Sequence, residues 1–205
     1  MKITCVIPAY NESGNIALVI NKVKAFVQEI IVVDDGSRED ISDLVRQAGA
    51  LVLRHPINRG QGAALQTGND YALLRGADII VHFDADNQFL AEDIKTVVGP
   101  IIAGEADAVF GSRFMGKESN MPAFKKKIIM PVARTINKLF FNINLSDPQS
   151  GFRAMTAKAA QSIKIENDRM AHCNEILIKT FKNKLRVKEV PITVVYHEFG
   201  QRLSG

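Results

Sequence analysis

Ala77-Asp78-Ile79-Ile80-Val81-His82-Phe83, running directly into Asp84-Ala85-Asp86-Asn87-Gln88, is the stretch on which the reading of this chain turns. The apolar run has the length and β-branched character of a buried strand, and the carboxylates sit where such a strand ends. In an extended segment alternate side chains share a face, so Asp84, Asp86 and Gln88 are expected to present three oxygen groups to one point. That point suits a hard divalent cation, Mg²⁺ or Mn²⁺, which keeps open positions for phosphate oxygens. Two carboxylates opposite a diphosphate would form a metal-bridged nucleotide site. An Asp-x-Asp pair also arises as a solvated acidic turn, so the neighbouring segments must decide.

Working outward, apolar strand-like runs alternate with helix-like segments: Ile3–Pro8, Ile16–Val27, Glu29–Val33, Ile41–Ala48, Leu51–Leu53, Gly62–Leu74, Ile79–Phe83, Ile94–Ala103 and Ala106–Phe110. Helix-like Asn174–Phe181 and strand-like Val187–Val195 follow later. This alternation predicts an α/β fold of βαβ units, with a mostly parallel sheet flanked by helices and ligands gathering at the carboxyl ends of the strands. Polar motifs fall at those ends: Tyr10-Asn11-Glu12 after the first strand, Asp34-Asp35-Gly36-Ser37 after the second, and the Asp84 cluster after a later one.

At 205 residues the chain has the length of one well-buried domain. Cys5 and Cys173 are far apart and form no disulfide framework or zinc spacing, so a reducing cytosolic setting is the simpler expectation. No stretch approaches the roughly 20 apolar residues that span a bilayer, and the N-terminus lacks the pattern of a secretory signal.

The net charge of +4 is unevenly placed: Lys117, Lys125, Lys126, Lys127, Arg134 and Lys138, against the single acid Glu118, carry +5 and leave the remainder near −1. This argues for a local anionic partner and against a general nucleic-acid coat. Phe124, Ile128, Val132, Ile136 and Phe140 recur every four residues through the same segment, with Pro131 expected to kink or divide it. Residues 117–142 therefore read as membrane-interface helices, apolar residues among acyl chains and lysines at headgroups; a helix pair covering the sheet has the same periodicity.

Val6-Ile7-Pro8-Ala9-Tyr10-Asn11-Glu12, Ile31-Val32-Val33-Asp34-Asp35-Gly36-Ser37, Asn58-Arg59-Gly60-Gln61-Gly62-Ala63-Ala64, the Asp84 cluster, Gly111-Ser112-Arg113 and Asp147-Pro148-Gln149-Ser150-Gly151-Phe152-Arg153 occur in one order. Over nearly its whole length the chain resembles inverting family 2 glycosyltransferases of the GT-A fold. More narrowly it is similar to polyprenyl-phosphate sugar transferases, the group containing dolichol-phosphate mannose synthases. Neither the Walker spacing nor the Rossmann glycine fingerprint is present.

The resemblance implies a nucleoside-diphosphate sugar, GDP- or UDP-linked, held by Pro8, Tyr10, Glu12, Asp34 and Asp35 at base and ribose. Asp34 and Asp35 can also build an Asx turn. Gly60 and Gly62 permit close backbone approach to the nucleotide or to a neighbouring strand, and the same stretch also reads as a plain loop leading into the helix Ala63–Leu74. A cation at Asp84, Asp86 and Gln88 would act as the Lewis acid, with Arg113, Arg153 and Arg202 adding charge-assisted hydrogen bonds to phosphate.

Asp86, Asp147, Arg153 and Glu175 are the candidate catalytic residues. The acceptor decides whether a base is needed: an ionised polyprenyl phosphate is already a nucleophile, whereas a saccharide hydroxyl would need one, and the resemblance implies Glu175 as that base or as an acceptor-orienting group, an exposed helix residue being the alternative. The implied setting is peripheral, on the cytoplasmic face of an anionic membrane. A transferase acting on hydroxyl acceptors, a sugar-nucleotide pyrophosphorylase and a noncatalytic membrane-binding module are the competing readings. A pyrophosphorylase would need a glycine-rich basic loop where this chain has Ala9-Tyr10-Asn11-Glu12.

Overall fold

The computed structural model describes residues 1–115 and 145–195. The basic amphipathic segment 117–142 and the C-terminal stretch with Arg202 lie outside the described residues. In chain order the elements are β1 (Ile3–Ala9), α1 (Ile16–Val23), β2 (Glu29–Asp34), α2 (Ser42–Gln47), β3 (Leu51–Arg54), α3 (Gln61–Leu74) and β4 (Ile79–His82). They continue with α4 (Asp93–Ile102), β5 (Ala108–Ser112), β6 (Arg153–Thr156), α5 (Ala157–Ser162), α6 (His172–Lys182) and β7 (Val187–Pro191).

The strands form one seven-stranded sheet in the order β3-β2-β1-β4-β6-β5-β7. Pairing is parallel except at β6, which runs antiparallel to both β4 and β5. β1 is buried at every position and β4 likewise, because helices cover both faces. Such strands read as continuous apolar runs without polar alternation. Successive residues nevertheless feed opposite cores: Ile7 and Val81 pack with Val19, Val97 and Phe152 on one face, while Val6 and Ile80 pack with Leu65, Phe110 and Met155 on the other.

Two departures from the sequence expectation have clear causes. No strand was expected at Arg153–Thr156, since four residues inserted between two distant strands carry no local period of their own. The last strand ends at Pro191, short of the expected Val195. Beyond it the chain leaves β5, and Val194 pairs instead with Phe89, next to the Asp84 segment.

Candidate active site

β2, β1 and β4 are parallel neighbours, so their carboxyl ends open on the same side of the sheet. The segments leaving them enclose a cavity of about 370 Å³. Pro8, Tyr10 and Glu12 line it from β1, Asp35 from β2, and Asp84 and Asp86 from β4, with Asn58, Gly60 and Gln61 completing the wall before and at the start of α3. Ligand sites in α/β sheets lie in such crevices beyond the strand ends.

The Asp84 segment is not extended, contrary to the premise drawn from the sequence. The strand stops at His82, Ala85 and Asp86 form a turn, and Asn87 takes a left-handed φ of 61°. Asp86 Oδ1 closes the turn by accepting the Gln88 N–H at 3.0 Å. The turn therefore brings Asp84 and Asp86 to one cavity, and simple alternation does not. Gln88 uses its carbonyl to accept the Val195 N–H at 2.8 Å, and its side chain is not among those lining the cavity. Beneath the turn, Phe83, Phe89 and Phe152 meet with ring centroids 5.1 to 5.7 Å apart, an apolar footing that fixes the backbone carrying both carboxylates.

Asp84 accepts a hydrogen bond from Gln61 Nε2 at 3.0 Å. Burial pushes its pKa up and the neighbouring Asp86 charge pushes it further; Arg153, His172 and the Gln61 bond oppose them, leaving it at about 6. The Gly151 backbone presses on the same carboxylate: a Cβ at that position would lie 3.0 Å from Asp84 Cγ and closer still to Oδ2.

Arg153 is almost fully buried on β6. One guanidinium nitrogen lies 3.6 Å from Cys173 Sγ, while Nη1 has no hydrogen-bond partner among the described residues. A buried guanidinium with an unsatisfied donor, electrostatically coupled to Asp84, is a reserve of positive charge behind the carboxylate pair.

The two aspartates after β2 differ. Asp34 is fully buried; its Oδ1 accepts the Ser37 N–H at 3.0 Å and builds the turn. Asp35 faces the cavity and fastens the next loop to the strand end: Oδ1 accepts the Arg59 N–H at 3.0 Å and meets His55 Nδ1 at 2.7 Å, while Oδ2 accepts the Gly60 N–H at 2.6 Å. Gly60 has a φ of 115° and lines the cavity, whereas Gly62 is buried against the backbone of residues 167–168.

Arg113 and Asp147 lie beyond β5 and are not among the cavity-lining residues. They form a two-pronged ion pair with N···O distances of 2.6 and 2.8 Å. The Asp147 backbone N–H in turn donates to Glu189 at 2.8 Å. Glu175 is buried and turned toward residues 166–167, where its carboxylate accepts several hydrogen bonds. Gln61, Asn58 and Gly151 were not assigned roles from sequence. Gln61 and Asn58 sit inside the quoted Asn58–Ala64 motif and Gly151 inside the Asp147–Arg153 motif, so the signal was position within a motif, without chemistry to single them out.

No group of three His, Cys, Asp or Glu side chains arranged to hold an ion occurs among the described residues. Asp84 and Asp86 still fit Mg²⁺ or Mn²⁺, since a pair of hard oxygen donors is what Mg²⁺ takes when substrate phosphates and water complete its shell. Burial is the main reason that the Asp84 pKa is raised, and the second carboxylate at Asp86 adds to it. Cation binding requires Asp84 ionised, so Mn²⁺ affinity is expected to rise as pH increases through about 6 and to fall on the acid side. Because the folded pKa lies above the unfolded one, the metal-free protein should also lose stability as pH rises over that window. Mn²⁺ titration calorimetry and melting curves at pH about 5 and about 7.5 check both signs; a pH-independent Mn²⁺ affinity would contradict them.

A mostly parallel sheet with acidic residues from three adjacent strand ends on one cavity is the arrangement of an α/β enzyme. Residues 4–164 match the model of glycosyl transferase family 2, and the chain belongs to that family. It is 34% identical over 217 residues to a UDP-N-acetylglucosamine–dolichyl-phosphate N-acetylglucosaminyltransferase of Methanococcus voltae, covering 95% of this chain and 86% of that protein. It is 29% identical to a polyprenol monophosphomannose synthase of Mycolicibacterium smegmatis, covering 98% and 80%. Its fold matches glucosyl-3-phosphoglycerate synthase of Mycobacterium tuberculosis, solved with Mn²⁺ and UDP-glucose, with a TM-score of 0.75 at 23% identity, covering 98% of this chain and 72% of that one. The protein is a glycosyltransferase of the GT-A fold. Among the described residues no helix is long and apolar enough to cross a membrane.

Proposed function

We propose that this protein transfers a sugar, with inversion, from a GDP- or UDP-linked donor to a polyprenyl phosphate, as one catalytic domain over residues 1–205 working at the cytoplasmic face of a membrane. The observation that carries the donor half is the Asp84–Asp86 pair on a cavity with Glu12 and Asp35. The acceptor half is supported by relatives, aligned over nearly the whole chain, that are named for polyprenyl or dolichyl phosphate.

In the proposed reaction a phosphate oxygen of the acceptor attacks the anomeric carbon from the face opposite the diphosphate. The C1–O bond to the diphosphate breaks, its electrons leave on the nucleoside diphosphate, and a glycosyl phosphodiester forms. Phosphate has a second pKa of roughly 6, so no protein base is required. A cation held by Asp84 and Asp86 would supply Lewis-acid stabilisation of the departing diphosphate. Tyr10 and Pro8 offer a ring and a rigid wall to the base, Glu12 and Asp35 offer acceptors to ribose or base, and Arg153 contributes positive charge behind the carboxylates.

The test is a thermal-shift screen of UDP- and GDP-sugars with Mn²⁺, followed by transfer assays on short polyprenyl phosphates and plain saccharides. Metal-dependent stabilisation by one donor and transfer to the lipid phosphate support the proposal; transfer to the saccharide alone would replace it with the hydroxyl-acceptor reading. For the membrane half, Lys125, Lys126 and Lys127 together changed to Gln should weaken binding to anionic vesicles, at about 1 kcal/mol per charge, with little change in nucleotide affinity. Vesicle flotation that is unaltered by the triple change would remove the membrane role of this cluster.

A further inference from the structure

Residues 164–168 run as a strap from α5 toward α6 and cross the N-terminal end of α3, nearly a hundred residues away in sequence. The Asp168 carbonyl accepts the Gly62 N–H at 2.7 Å and the Ala63 N–H at 3.2 Å, capping the first turn of α3 from outside the helix. Ile165 donates its N–H to Gln66 Oε1 at 2.6 Å one turn further along, and Arg59 pairs with the Asp168 carboxylate at 3.4 Å. The approach is close enough that a Cβ on Gly62 would collide with the Asn167 carbonyl, and one on Gly60 with the Asp168 carbonyl.

One carboxylate holds the strap. Glu175, near the start of α6, accepts the Glu166 N–H at 3.1 Å, the Asn167 N–H at 2.8 Å and the Asn167 Nδ2–H at 2.9 Å, and pairs with Lys179 Nζ at 2.7 Å. Burial alone would push its pKa up, but Lys179 and the Asn167 and Glu166 donors outweigh it and bring it down to about 2. A carboxylate so engaged is an ionised anchor, with its acceptor capacity spent on the strap. What the strap caps is the turn that supplies Gly60 and Gln61 to the cavity, and Gln61 donates to Asp84.

We propose that Glu175 is a positioning residue: through the 166–168 strap it sets the place of Gly60 and Gln61, and so the affinity of the site for the nucleoside diphosphate and its cation. The inference rests on the nucleotide-sugar reading of the cavity and not on the identity of the acceptor.

Glu175→Gln keeps the side-chain shape but sets an NH₂ group against backbone donors, and Gly62→Ala forces the strap away without touching Glu175. Both are compared with wild type by amide hydrogen exchange and by binding of UDP or GDP with Mn²⁺, and by KM against kcat once a donor is known. Exchange at Gly62 and Ala63 is expected to quicken about tenfold or more in both variants, with β1 and β4 amides unchanged. Nucleotide affinity should weaken about fivefold to tenfold in both, the loss falling on donor KM more than on kcat.

Unaltered exchange at those amides, or quickened exchange with full nucleotide affinity in both variants, would overturn the proposal. So would a kcat loss of roughly 10²–10⁴-fold in Glu175→Gln with donor affinity intact, the signature of a general base. If wild type binds neither nucleotide, the transferase reading and the donor half of this proposal fail together, while the exchange result still decides whether Glu175 holds the strap.

Discussion

Asp86→Ala is expected to abolish metal-dependent donor binding and lower transfer on the order of 10³-fold or more. A Lewis acid on the departing diphosphate supplies several kcal/mol of charge stabilisation, and each 1.36 kcal/mol is roughly a tenfold change in rate. The fold should tolerate the change. Asp86 is half-buried, and its bond to the Gln88 N–H, worth about 1 kcal/mol, sits in a turn already held by three packed phenylalanines and by the Val195–Gln88 bond. Asp86→Asn separates the two roles, since its amide oxygen can still close the turn while half the anionic charge of the pair is gone. Calorimetry with Mn²⁺ and nucleotide, beside melting curves, reads both. A folded Asp86→Ala protein with wild-type turnover would remove the carboxylate pair from the mechanism.

Gly151→Ala should damage the site too, though less, from a position that carries no functional group. The three atoms nearest to the added methyl all belong to the Asp84 carboxyl group, which must swing away from its bond with Gln61. A displacement near 1 Å at a reacting centre costs about 10²-fold in rate, so transfer should fall by about that factor and Mn²⁺ affinity should weaken with it. Stability should move little, because the yielding neighbour is a movable side chain at a cavity wall and not the packed core. Wild-type Mn²⁺ affinity in Gly151→Ala would mean that the carboxylate relaxes without consequence. A large fall in Tm would mean instead that the backbone gives way.

Several features of this protein are written in its local pattern. The runs Ile3–Pro8, Glu29–Val33 and Ile79–Phe83 announce buried parallel strands through β-branched continuity, and each proves a strand to within one or two residues. The acids at their ends are visible for the same reason: a strand that stops against solvent changes from apolar to polar side chains at that residue. The family is legible too, because its motifs keep one order along the chain, and the match over residues 4–164 agrees.

Which groups meet is a different matter. The antiparallel strand Arg153–Thr156 between β4 and β5, Gly151 against Asp84, and the Asp168 carbonyl on Gly62 and Ala63 all join residues far apart in sequence. Asp34 and Asp35 are adjacent, identical in type and both buried, yet the first closes its own turn on the Ser37 N–H while the second lines the cavity and holds the Arg59 and Gly60 N–H groups. Glu175 shows the same limit: as a residue type it can be base or anchor, and only the donors gathered around it by folding give it the second character. Sequence alone determined most of the elements and the residue types carried at their ends, because periodicity and residue type are local. Partner, distance and charge environment were decided by the tertiary structure, because each depends on which distant segment the packed sheet and helices bring alongside.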